Sequence, residues 1–138
     1  MLRMKLTKPV YILIFLAVIL ISCQKPPGPG GRAMVTGKVF AYDFDNTYHY
    51  LLSKGYSAGE SVYISYGTNS VVGKDVKTTS DGSFEFLYLN KGHYKIFVNS
   101  IDTSIKVKGN NTKIPVIREF DITGIKQTID LGDIFINK

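Results

Sequence analysis

From Met34 onward the apolar residues of this chain fall at every second position, and that spacing constrains the fold more than any other feature of the sequence. VTGKVFAY puts Val35, Gly37, Val39 and Ala41 on one face of an extended segment, because successive side chains of a strand point to opposite sides. ESVYISYG groups Val62, Ile64 and Tyr66, FEFLYL sets Phe84 and Phe86 against Glu85, and HYKIFVNS groups Tyr94, Ile96 and Val98. DVKTTS, SIKVKG, IREFDIT and TIDLGDIFI continue the series. No segment keeps a 3.6-residue apolar repeat long enough for a helix. The runs are short, rich in β-branched and aromatic residues, and separated by Gly, Asn, Asp and Ser clusters. Residues 34–138 therefore predict an all-β domain of about seven strands, packed as a two-sheet antiparallel, immunoglobulin-like sandwich. At this size one core suffices without covalent staples.

The most sharply written piece is KTTSDGSFEFLYLNKGHYKIFV, Lys77 to Val98. Asp81-Gly82 supplies the positive φ that a tight hairpin needs; two inward phenylalanines follow, then Leu89, a turn closing on Gly92, and an inward Tyr94. This order resembles the signature of carboxypeptidase-regulatory-like domains, also called transthyretin-like or prealbumin-like. VTGKVFAYDFDN and AGESVYIS are similar to that family's first two strands, and TIDLGDIFI to its closing strand. The resemblance implies a transthyretin-like sandwich over most of residues 34–138, and a non-catalytic binding or scaffolding module.

The remainder of the chain concerns where such a domain would sit. The N-terminus carries Arg3, Lys5 and Lys8 without an acid, then an unbroken apolar run of twelve residues, Val10 to Ile21. A bilayer-spanning helix needs about twenty, whereas a charged start, a short apolar run and a small residue mark a secretory signal. The small residue is Ser22, and the only cysteine, Cys23, follows it. Leu20-Ile21-Ser22-Cys23 closely resembles the lipobox of bacterial lipoproteins, which implies cleavage between Ser22 and Cys23 and a lipid on the Cys23 sulfur. Each buried lipid methylene contributes roughly 0.8 kcal/mol, and two or more chains make a stable anchor. Residues 1–22 then read as a lipoprotein signal peptide, and residues 23–33 as the lipidated cysteine with a Pro/Gly tether reaching roughly 25–30 Å when extended. Gln24, in place of the aspartate that retains proteobacterial lipoproteins at the inner membrane, points to the outer membrane of a cell envelope.

Composition must be read after this cleavage. Removing residues 1–22 takes three basic residues and no acid, leaving fourteen Lys and Arg against eleven Asp and Glu, so the formal charge drops from +6 to +3. The remaining lysines are dispersed, which argues against a nucleic-acid partner, since that needs a clustered basic face. With Cys23 lipidated no thiol remains, and no disulfide can form within the chain.

Catalytic constellations are not written in the sequence. Zinc carboxypeptidases need H-x-x-E, but His49 is followed three positions later by Leu52, and His93 by Ile96. Hydroxyisourate hydrolases of the transthyretin-like family end in tyrosine-arginine-glycine-serine; this sequence reads Ile136-Asn137-Lys138. Intradiol dioxygenases pair two tyrosines with two closely spaced histidines, whereas His49 and His93 are far apart. No G-x-S-x-G elbow or phosphate-cradling glycine loop is present. The expectation is a non-enzyme without cofactor or metal.

Two features remain as binding candidates. DFDNTYHYLLSKGY, Asp43 to Tyr56, is a long connection carrying Tyr48, His49, Tyr50 and Tyr56. Amphipathic rings on a loop suit a protein hot spot or a sugar face, or else simply cover a sheet edge. Asp43-x-Asp45-Asn46 offers oxygens for calcium, though Asp and Asn after a strand more often form turns. The expected partners are the membrane, through Cys23, and an envelope protein, with polysaccharide as the alternative; the absence of tryptophan weighs against the latter.

Overall fold

The computed structural model describes residues 25–68 and 71–138. Ser22, Cys23 and the signal segment lie outside the described residues. Eight strands follow one another: β1 Pro29–Phe44, β2 Leu51–Tyr56, β3 Ser61–Tyr66, β4 Val72–Lys77, β5 Ser83–Leu89, β6 Gly92–Ile101, β7 Lys113–Ile122 and β8 Thr128–Asn137.

The first sheet is organised by β1, which is long enough to be paired along both edges. On one edge β8 runs parallel to it, from Met34 opposite Thr128 to Tyr42 opposite Asn137. On the other edge lie two shorter antiparallel strands end to end, β5 against Pro29–Lys38 and β2 against Phe40–Phe44. Val39 makes the handover, its amide donating to the Gly82 carbonyl and its carbonyl accepting from the Ser57 amide, both at 2.9 Å. The second sheet is wholly antiparallel in the order β4-β3-β6-β7.

Between the sheets the period-two residues meet. Val35, Val39, Phe84, Phe86, Ile134 and Ile136 from the first sheet face Val62, Ile64, Tyr94, Ile96, Val98, Phe120 and Ile122 from the second. Burying each such side chain contributes roughly 1.5–3 kcal/mol, so the alternation itself holds the layers together. Gly37 lies beneath the Phe84 ring, where an added Cβ would come within 2.7 Å of it.

Three expectations are corrected. The sandwich has eight strands rather than about seven: β2 forms inside the connection expected to be a loop, and seven of the alternating runs become the other strands. LLSKGY gives no alternation, since nearly all its residues are exposed; it is held by backbone pairing to β1, not by burial. SIKVKG, expected as a strand, instead turns within the β6–β7 connection, with Val107 N bonded to the Ile105 carbonyl and Asn110 N to the Val107 carbonyl. An alternating run forms a strand only where a sheet edge receives it, and here β7 occupies the edge of β6 from Lys113 onward.

The third correction concerns the tether. Residues 29–33 are the start of β1, with Pro29 and Ala33 both opposite Leu89 across an irregular stretch. Gly28 is also docked: its amide donates to the Tyr94 hydroxyl at 2.9 Å and its carbonyl accepts from Asn90 N at 2.9 Å. Gly31 passes so close to the Leu89 carbonyl that a Cβ there would lie 1.8 Å from its oxygen. Gly31, assigned to the expected tether, therefore lets the backbone pack on β5.

Candidate functional site

The β1–β2 connection is organised by one carboxylate. Asp45 Oδ1 accepts from the amides of His49 and Tyr50 at 2.9 and 3.0 Å, and its Oδ2 accepts from the Thr47 hydroxyl. The Thr47 hydroxyl above all, then the amides of Tyr50, His49 and Thr47, hold the Asp45 carboxyl down to about 2. Asp43 Oδ2 is 3.5 Å from the Ser53 hydroxyl on the paired strand. Asp45 thus acts as the turn former that its position after a strand suggests. Among the described residues no three His, Cys, Asp or Glu side chains converge as metal ligands.

The four residues expected to form one binding loop divide into three environments. Tyr48, in the left-handed region at φ 57°, turns inward and is buried. Its hydroxyl donates to the Asn110 carbonyl and its own carbonyl accepts from Lys106 Nζ, which pins the connection to the β6–β7 loop. Gly109 N adds a backbone bond to the Asn46 carbonyl. His49 and Tyr50 form the exposed tip, with Tyr50 73 % exposed. Tyr56 belongs to neither: it lies on β2 and joins a separate aromatic group on the outer face of the first sheet.

That group is set by strand register. Phe40, at an outward position of β1, is directly opposite Tyr56 on β2 and Phe135 on β8. The Phe40 ring meets Tyr56 at 5.3 Å and Phe135 at 5.7 Å between centroids, and Tyr42 at 5.5 Å, all edge to face. Tyr56 and Phe135 are each about half exposed. Charge rims the patch: Lys38 Nζ stands 4.8 Å from the Tyr56 ring centre and 3.1 Å from Asp81 Oδ2, and the Tyr56 hydroxyl reaches Asp133 Oδ2 at 3.4 Å. Asp81 is held well below the ordinary carboxylate range by the Thr79 and Ser83 hydroxyls and by Lys38. Beside the patch an open groove of about 750 Å³ runs past Lys38, Thr79, Ser83, Glu85 and Asp133.

The outer face of the second sheet carries a smaller pair, Tyr63 stacked on Phe97 at 5.0 Å. Ile117 is paired directly beside Phe97.

Sequence reasoning missed Phe40, Tyr42 and Phe135. Their signal was present: in KVFAY and DIFIN, aromatic residues occupy the outward positions where polar residues are expected. What it lacked was register, which alone brings Phe40, Tyr56 and Phe135 into one row.

No protein-family model matches the chain, and no curated protein matches it. Among solved structures it is similar to a Pseudomonas aeruginosa protein proposed to bind carbohydrate, with 10% identity and a TM-score of 0.49, over 81% of this chain and 92% of that one. It is also similar to the major pilin subunit of Bacillus cereus, with 16% identity and a TM-score of 0.45, over 78% of this chain and 30% of the pilin. A 9R-lipoxygenase of Cyanothece aligns with 16% identity and a TM-score of 0.32, over 94% of this chain and 21% of the enzyme.

Proposed function

We propose that the chain is an envelope lipoprotein, anchored through Cys23, whose sandwich is a non-catalytic module that binds another protein on the outer face of its first sheet. The observation that carries this reading is the row Tyr56–Phe40–Phe135, three aromatic residues in register across three strands on the outer side of the fold. Half-exposed aromatic rings rimmed by Lys38, Asp81 and Asp133 have the composition of a protein hot spot with a polar border. The anchor rests on the lipobox-like residues Leu20 to Cys23, and the outer membrane on Gln24. The carboxypeptidase-regulatory-like reading is supported by the β5–β6 region, where Gly82 takes φ 76° and Phe84, Phe86 and Tyr94 are buried as that signature implies.

A glycan ligand fits this face less well. Sugar stacking needs an open, flat ring, whereas these rings meet at interplanar angles of 61–81° and the Lys38 ammonium stands over Tyr56. The test is cross-linking in intact cells followed by detergent purification and mass spectrometry. A reproducible protein partner, lost when Phe135 or Tyr56 is replaced by Lys, supports the reading. Retention of the purified protein on envelope polysaccharide, with no protein partner captured, would replace it with a glycan-binding module.

A further inference from the structure

The strands run so that each end of the sandwich has a distinct set of loops. Gly28, where the described fold begins to pack, touches Tyr94 and Asn90. Pro27 lies against Gly92, where an added Cβ would stand 2.5 Å from its ring. Gly92 is in turn opposite Ile122, the last residue of β7. The β3–β4, β5–β6 and β7–β8 connections therefore share the end at which the N-terminus leaves. The Asp45–Tyr50 tip and the β6–β7 loop are at the other end.

The N-terminal end has an unusual surface. Val71 is 77 % exposed, Ile125 64 % and Tyr88 68 %. Tyr88 has φ 62° at a bulge in β5, where two steps of β1 from Val35 to Ala33 oppose three from Phe86 to Leu89, and its ring is left in solvent. Around these residues stand Lys25, Lys91 and Lys126, and the described residues of the three connections contain no carboxylate. The acids nearest along the strands are Asp121, whose Oδ1 lies 2.9 Å from His93 Nδ1, Glu119, 3.0 Å from Lys95 Nζ, and Asp130, two residues into β8.

We infer that this end of the sandwich docks on an anionic lipid surface, with Val71, Ile125 and Tyr88 entering the interface and Lys25, Lys91 and Lys126 meeting headgroup phosphates. The inference rests on the reading of Cys23 as a lipid anchor. Five residue steps separate Cys23 from Gly28, at most roughly 18 Å of extended chain, so a lipid on Cys23 holds this end of the sandwich close to the bilayer. Lysines within a Debye length of an anionic surface are attracted to it, and amphipathic Tyr and apolar residues suit the headgroup level. Docked in this way, the aromatic row and the Tyr50 tip stay clear of lipid.

The test uses the full-length lipoprotein, lipidated and reconstituted into phosphatidylcholine vesicles with or without phosphatidylglycerol. A thioether on Cys23 leaves an introduced cysteine as the one free thiol for a nitroxide, placed in Ile125→Cys or, as the distant control, Tyr50→Cys. Both positions are exposed, so the fold is retained. Collision with oxygen relative to a water-soluble nickel chelate should rise several-fold at position 125 in phosphatidylglycerol vesicles and stay unchanged at position 50. Lys25→Glu with Lys91→Glu and Lys126→Glu should return position 125 to the aqueous value while the protein still floats with the vesicles. Aqueous values at both positions in a protein that floats would overturn the docking and leave the anchor standing. Equal immersion in both kinds of vesicle would overturn the phosphate contacts. A protein that takes up no fatty acid and does not float would overturn the anchor and the docking together.

Discussion

The Tyr94 hydroxyl accepts a hydrogen bond from the Gly28 amide at 2.9 Å, across 66 positions of sequence, and lies 2.8 Å from the Asn90 carbonyl, to which it donates. One buried phenol thus closes the β5–β6 turn and fastens the first docked residue of the chain to it. Tyr94→Phe leaves the Gly28 amide without that acceptor, and a lost buried partner costs about 1–3 kcal/mol. Urea unfolding should show a loss of that size, and hydrogen exchange at Gly28–Arg32 should quicken more than at β6. An unchanged midpoint with full protection of Gly28 would show that the Asn90 amide, Pro27 packing and the pairing to Leu89 hold this segment without the phenol.

Asp45 gives the β1–β2 connection a pH dependence. Its folded carboxyl titrates at about 2, below the ordinary 3.8, because Thr47 and the amides of Tyr50 and His49 hydrogen-bond the charged form. A group whose folded pKa is depressed stabilises the fold fully above its unfolded pKa and ceases to do so as pH falls through the folded value. The loop should therefore keep its order down to roughly pH 4 and loosen toward pH 2. The His49 and Tyr50 amide resonances should titrate near 2; movement centred near 4 would show that these bonds are not formed in solution. Asp45→Ala should expose Tyr48 and accelerate exchange at both amides.

Gly82 and Gly31 should be intolerant for different reasons. Gly82 has φ 76°, and a Cβ there would lie 2.8 Å from the Val39 carbonyl at the handover between β5 and β2. Gly82→Ala should cost at least the roughly 1–3 kcal/mol of a strained left-handed residue. Gly31→Ala collides with the Leu89 backbone without positive-φ strain, so it should detach the start of β1 and leave the rest of the sandwich folded. Thermal denaturation and limited proteolysis separate the two: one lowers the midpoint, the other opens a cleavage site before Ala33.

The aromatic row should matter to binding more than to folding. Phe86, almost fully buried, should lose about 3–5 kcal/mol on truncation to Ala. Phe135 is half exposed and contributes a cross-strand aromatic contact of about 0.2–1 kcal/mol. Phe135→Ala should therefore leave the unfolding midpoint nearly unchanged while the cross-linked partner disappears. A partner retained by Phe135→Ala and by Tyr56→Ala would move the interface off this face.

Cys23→Ala should abolish fatty-acid labelling and release the protein from membranes. Retention of the variant in the membrane fraction would show that something other than a lipid thioether holds it.

The chain's own order determined the layers. Because side chains alternate strictly along a strand, Val35, Val39, Ile64, Phe84, Phe86, Tyr94 and Ile96 could be assigned to the core before any partner strand was known, and each is buried. Asp81-Gly82 likewise marked a turn, because positive φ is a local demand. What the tertiary structure alone decided depends on pairing between distant segments. LLSKGY became a strand because the free edge of β1 received it, while SIKVKG, with the better alternation, found no edge and turned. The parallel pairing of β1 with β8 joins segments about ninety positions apart, a relationship no local period encodes. Tyr48 and Tyr56, eight positions apart in one apparent loop, went separate ways: one into the β6–β7 loop, the other into a row with Phe40 and Phe135. Burial follows from a residue's place along its own strand, but a surface patch needs register across several strands, and that is set only when the sheets close on a common core.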